Sequence, residues 1–181
     1  MRTCRSALLI LVALVTTVWV CAETPTPVPA PPKPCVFCEI AAGRLEPELV
    51  VYRDELVLAF MDIAPGNPGH VLVVPAQHAD DIVAVPAATA QRMIVVAQCI
   101  ARAIRRTELR AEGFNFILNT GRAAGQTVFH AHLHVVPRYS GDSGGHGDKP
   151  RRRLMIEELA PIAAKIRAAV GDELLVAPVA R

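Results

Sequence analysis

Residues 125–138 read GQTVFHAHLHVVPR, with histidine at positions 130, 132 and 134. Alternate side chains of a β-strand point the same way. As a strand, this run stacks His130, His132 and His134 on one face and turns Ala131, Leu133 and Val135 toward a core. The wet face of a half-buried strand ordinarily carries mixed polar residues. Three copies of the side chain that titrates nearest neutrality mark a reactive site instead.

The chain's 181 residues suit one globular domain with a sizeable core plus appendages. The first appendage is a short basic start with Arg2 and Arg5, an apolar stretch over residues 7–20, and Val20-Cys21-Ala22 as a small-residue cleavage site. This three-part pattern reads as a secretory signal peptide over residues 1–22, and so as export. The stretch falls short of the roughly 20 residues of a membrane span, although an uncleaved anchor stays open. So does a mis-assigned start ahead of a cytoplasmic protein. Residues 23–34, containing TPTPVPAPPKP, form a proline-rich spacer of polyproline II type, and the folded domain spans residues 35–181.

Loss of Arg2 and Arg5 would bring the 19 basic residues level with the 17 acidic ones, which argues against a general binder of nucleic acid. The cluster Lys149, Arg151, Arg152 and Arg153 reads as a solvated loop. Cleavage would leave Cys35, Cys38 and Cys99, an odd set that is no disulfide framework.

Apolar runs LVVY, LVLAFMDI and HVLVVP between residues 49 and 75 predict strands, with IAPGNPGH as the turn joining the last two. From residue 87 to 106 the period becomes helical, with Met93, Ala97, Ile100 and Ile104 on one stripe and Ala90, Ile94, Ala97 and Ala101 beside it. Cys99 reads as a small buried hydrophobe. Residues 114–118 predict another strand, 140–150 a flexible loop and 154–170 a second amphipathic helix. Consecutive strands with two helices indicate an α+β domain with a largely antiparallel sheet.

Two chemistries suit the histidines. Neutral imidazoles can ligate zinc, or one can attack an electrophile while its neighbours bind the developing charge. The preceding NTGRAAGQTV favours an anionic ligand: its glycines let backbone amides approach, and Asn119, Gln126 and Thr127 add neutral hydrogen-bonding groups.

With these residues assembled, AGQTVFHAHLHVVPRY resembles the signature of the histidine triad (HIT) family of nucleotide hydrolases and transferases. Upstream, CVFCEIAAGRLEPELVVYRDELVLAFMDIAPGNPGHVLVVPAQHADDI resembles that family's N-terminal half, so the likeness covers residues 35–139. It implies a five-stranded antiparallel sheet with two main helices, and a homodimer with a continuous sheet. By position, His132 matches the nucleophile that attacks the α-phosphorus of a purine nucleotide. His134 matches a phosphate-binding histidine, and His70 one that completes the site from a neighbouring strand. Asn119, Gln126 and Thr127 match residues around phosphate and leaving group. Asp62 matches the ribose-binding acid, and Ile63 would pack against the base without reading it. Cys35, Cys38, His78 and His130 match four ligands of a structural zinc ion. A Cys35–Cys38 disulfide is the alternative in an oxidising compartment.

The resemblance thus implies a hydrolase acting on a nucleoside phosphoramidate or a dinucleoside polyphosphate, with no organic cofactor. A nucleotidylyl transferase is a close variant. A binding module without turnover is the reading from another class.

Overall fold

A computed structural model describes residues 35–142 and 152–176. The expected signal peptide and spacer, and most of the expected loop at 140–150, lie outside the described residues. No described helix is long and apolar enough to cross a membrane.

The apolar runs become five strands: β1 (Val50–Arg53), β2 (Val57–Met61), β3 (Val71–Pro75), β4 (Gly113–Leu118) and β5 (Leu133–Arg138). They form one sheet in the order β1-β2-β3-β5-β4, with each neighbouring pair antiparallel. The central strands are buried on both faces, and the two-residue period sorts their side chains between two cores. Val57, Ala59, Met61, Val71 and Val73 join the main core with Ala131, Leu133 and Val135. Leu58, Phe60, Leu72 and Val74 join a smaller one on the opposite face.

The main core is closed by α2 (Ala87–Arg106) and α3 (Ile156–Val176). The limits of α2 coincide with the periodic stretch in the sequence, and Met93, Ala97, Ile100, Ile104 and Cys99 are all buried. Ile94 is a correction to the expected apolar stripe, because it lies about half exposed. At about 100° per residue the second row drifts off the core face. An ion-paired cluster fastens α2 to the β1–β2 hairpin: Arg92 donates to Asp54 Oδ2 (2.6 Å) and to the Tyr52 hydroxyl (2.6 Å), which itself donates to Asp54 (2.7 Å). Burial alone would raise the Asp54 carboxyl, but bonds from Arg92, Tyr52 and two backbone amides outweigh it and hold the group below its ordinary range.

The smaller core is covered by α1 (Val36–Ala41), a helix not expected from the sequence. Six residues are too few for a periodic signal and too few to be stable alone. Packing supplies the stability: Phe37 meets Phe60 edge-on at 5.3 Å, and Ile40 is buried beside it. Each such side chain contributes about 1.5–3 kcal/mol. Arg53 caps the helix end by donating to the carbonyls of Ile40 and Ala41.

Candidate active site and metal centre

The histidine run splits its work between two sites. His134 stands in β5, opposite Leu72 of β3, whereas His130 lies in a bend and His132 in the short irregular segment between that bend and the strand, so the expected strand holds only the last of the three. The alternation survives, with Ala131, Leu133 and Val135 in the main core and the imidazoles on the other face. That face is not wet, however. His130 is fully buried, and His132 and His134 are only 4% and 7% exposed, because α1 lies across the face. Phe37 meets the rings of both His130 (5.8 Å) and His132 (5.4 Å) edge-on.

His130 turns Nδ1 toward Cys35 Sγ (3.4 Å), Cys38 Sγ (3.5 Å) and His78 Nδ1 (3.3 Å). Cys38 Sγ is also 3.4 Å from His78 Nδ1, and all four ligand atoms lie within 4.8 Å of one another. A tetrahedral ion with bonds of about 2.0–2.3 Å separates its ligands by about 3.3–3.8 Å, and these four separations match that spacing. Outer contacts agree: His130 Nε2 donates to the Pro75 carbonyl (3.0 Å) and His78 Nε2 to Asp80 Oδ1 (3.0 Å). Each bond puts the ring proton on Nε2 and leaves the Nδ1 lone pair toward the cluster. Burial holds His130 below the ordinary histidine range, hence neutral. Burial, then the Cys35 thiol, pushes Cys38 up to about 11. A thiolate there needs a cation beside it. Both cysteines are free thiols.

The second site starts at His132. Its Nδ1 donates to the carbonyl of His130 (2.8 Å), which leaves Nε2 as the unprotonated, nucleophilic nitrogen. Beside it, at 4.9 Å between ring centroids, is His134. A backbone-anchored chain sets the His134 tautomer: Gly66 N–H donates to His70 Nδ1 (3.0 Å), and His70 Nε2 donates to His134 Nδ1 (3.0 Å). The proton of neutral His134 is therefore on Nε2. Asp62 Oδ2 lies 3.4 Å from His70 Nδ1, and Asp62 Oδ1 accepts from Ala64 N–H (2.8 Å) in a turn.

His132 and His134 open on a cavity of about 370 Å³ that also meets Thr127, Asp62 and Ile63. Val36, Ile40 and Leu45 give it an apolar lining as well. A larger cleft of about 460 Å³ beside His78 reaches none of His70, His132 and His134.

Of the expected substrate-binding residues, Thr127, Asp62, Ile63 and His134 come together on this cavity. Asn119 and Gln126 do not line it. Gln126 is buried, accepting from Gly121 N–H (2.7 Å) and donating to the carbonyls of Asp80 (2.6 Å) and Val128 (3.0 Å). It braces the loop ahead of the histidines with its whole amide, and the polar Gln-Thr pair could not show which member faces inward. The sequence also gave no warning of Glu46 and Arg153, which line the cavity. Arg153 belongs to the stretch expected to be a solvated loop. Its neighbour Arg152 pairs with Glu158, and Leu154 N–H donates to the Ile63 carbonyl (2.8 Å), drawing the segment over the site.

The HIT domain model matches residues 44–141. An uncharacterized HIT-like protein of Mycobacterium tuberculosis is 47% identical over 109 residues, 60% of this chain and 74% of that protein. An adenylylsulfatase of Arabidopsis thaliana is 31% identical over 149 residues, covering 80% of this chain and 75% of the relative. A zinc-bound histidine triad family protein from Mycobacterium smegmatis superposes with a TM-score of 0.69 at 42% identity, over 80% of this chain and 98% of that one.

Proposed function

Because the chain belongs to the HIT domain family, we propose that it is a nucleotide phosphohydrolase whose His132 attacks the α-phosphate of a purine nucleoside phosphoramidate or dinucleoside polyphosphate. One observation carries the reading: His132 keeps its proton on Nδ1, against the His130 carbonyl, and opens on the same cavity as His134 and Asp62.

In the proposed reaction, His132 Nε2 forms a bond to phosphorus as the bond to the leaving group breaks. The positive charge on the imidazole is shared with the His130 carbonyl through Nδ1–H. His134 Nε2–H donates to a non-bridging phosphate oxygen, where negative charge gathers. The leaving group takes up a proton from solvent as it departs, and the water of the second step gives one back. Water then cleaves the nitrogen–phosphorus bond, releasing the nucleoside monophosphate and returning His132 to its neutral form. Asp62 accepts from the ribose hydroxyls, and the apolar lining of the cavity takes the base.

Zinc belongs to Cys35, Cys38, His78 and His130 in this proposal, where it joins α1 to the β3 end and to the segment entering β5 without touching substrate. The donor chemistry, the spacing and the relative's bound zinc support it. A second copy is placed along β4, an edge strand with Phe116 46% exposed. Export through residues 1–22 completes the reading, and N-terminal sequencing of the secreted protein checks it.

Mass spectrometry of the protein, quenched after brief incubation with an adenosine phosphoramidate, tests the function. The expected result is a nucleotidyl adduct on His132 with AMP appearing on longer incubation. AMP release that persists in His132→Ala would refute the nucleophile. Bound nucleotide with neither adduct nor AMP would make the protein a binding module.

A further inference from the structure

Ile63, Val36, Ile40 and Leu45 can grip a base but cannot tell one purine from another. Two charged side chains share their cavity, Glu46 and Arg153. Neither forms an ion pair or side-chain hydrogen bond with another described residue, whereas Arg44, Arg53, Arg92, Arg138 and Arg152 all do. Glu46 adopts φ 48° and ψ 48°, a left-handed conformation that a residue with a Cβ rarely takes, at the start of the turn Pro47–Leu49. Arg153, itself exposed, precedes Leu154, whose N–H donates to the Ile63 carbonyl and ties the backbone there to the cavity wall. Backbone strain outside glycine collects where a side chain has to be aimed.

Resting on the nucleotide reading above, we infer that Glu46 and Arg153 read the edge of the base and that the substrate carries guanine. A carboxylate only accepts hydrogen bonds, and a guanidinium only donates them. Guanine presents a matching pair of edges: N1–H and N2–H as adjacent donors for Glu46, and O6 and N7 as adjacent acceptors for Arg153. Adenine offends both. Its N1 is an acceptor that would face the Glu46 carboxylate, and its N6–H2 is a donor beside N7 that would face Arg153. Leu45 and Ile63, next to these two residues, provide the apolar faces between which the ring lies. Asp62 and the histidines fix the sugar and phosphate, so the base cannot turn to escape the mismatch.

Calorimetric titration of the full chain with GMP and with AMP is the test. The expected result is GMP binding about tenfold or more tighter than AMP, the discrimination that one bidentate contact supplies. In Arg153→Ala and in Glu46→Gly the ratio falls to about two or less, through loss of GMP affinity. Glu46→Gly suits the purpose because glycine accepts the φ of 48° better than glutamate, so the variant keeps its fold. Equal binding of GMP and AMP by the unaltered protein overturns the base readout and leaves the nucleotide reading standing. The same holds if the preference survives both substitutions. Binding of neither nucleotide overturns both proposals together.

Discussion

Gly69, the residue before His70, shows how tightly the main core constrains the candidate site. Its φ is +84°, and a Cβ built there would lie 2.8 Å from Leu109 Cδ1 and 3.3 Å from Pro137 Cγ. Gly69→Ala therefore carries two costs. The left-handed backbone costs alanine about 1–2 kcal/mol, and displacing neighbours in a packed core costs about 1–3 kcal/mol. Leu109 meets the new methyl with the end of a flexible side chain, while the Pro137 ring can only shift with β5, which places the total near 2–3 kcal/mol. For a domain of this size that lowers Tm by about 4–12 °C. Gly43 supplies the control: its φ is +71°, and nothing lies within 4 Å of the corresponding Cβ. Gly43→Ala then reports the backbone cost alone, about 1 kcal/mol. Urea titrations followed by far-UV circular dichroism give both values. If Gly69→Ala is no more destabilised than Gly43→Ala, the close approach does not determine the site's geometry and the reasoning fails. Any movement at Gly69 passes through His70 to His134 Nδ1, so turnover should fall more in this variant than in Gly43→Ala.

Other consequences can be checked as directly. His134→Asn should lower turnover by about 10²–10³-fold, the usual effect of removing one donor to a developing anion, while bound zinc measured by plasma mass spectrometry stays at the unaltered level. Cys38→Ala should do the reverse at the metal, lowering zinc per chain and Tm together; zinc that stays tightly bound would exclude Cys38 as a ligand. Arg92→Ala should cost about 1–2 kcal/mol near neutral pH by removing charged hydrogen bonds between α2 and the β1–β2 hairpin. The Asp54 carboxyl is lowered in the folded state, so its contribution is complete above the unfolded value of about 3.9 and is lost as pH falls through the lower folded one. Denaturation at several acidic pH values should accordingly show a shallower loss in Arg92→Ala than in the unaltered protein. A parallel pair of curves would remove Asp54 from the acid response.

What could be read from the order of residues was periodicity and residue type. A two-residue apolar period puts Ala131, Leu133 and Val135 in one core and the histidines opposite, whatever surrounds them. A helical period over 20 residues marked α2 to its ends. The identities of Cys35, Cys38, His78 and His130 likewise limited which metal they suit before any distance was known. Tertiary structure decided the rest, because it depends on what lies across from a side chain. Alternation cannot say whether a face is wet: Phe37 of α1, a helix too short to announce itself, packs on the rings of His130 and His132, and His134 packs on His70. The division of three identical histidines between the cysteine cluster and the cavity follows from which partner each meets. His130 meets the thiols, His132 the carbonyl of His130, and His134 the imidazole of His70. Gln126 left its expected place on the cavity for the same reason, whereas Arg153 stays exposed as expected and lines the cavity as well. A polar side chain is satisfied by whichever groups the fold brings within about 3 Å, and for Gln126 those groups include the Asp80 carbonyl, 46 residues away in the chain.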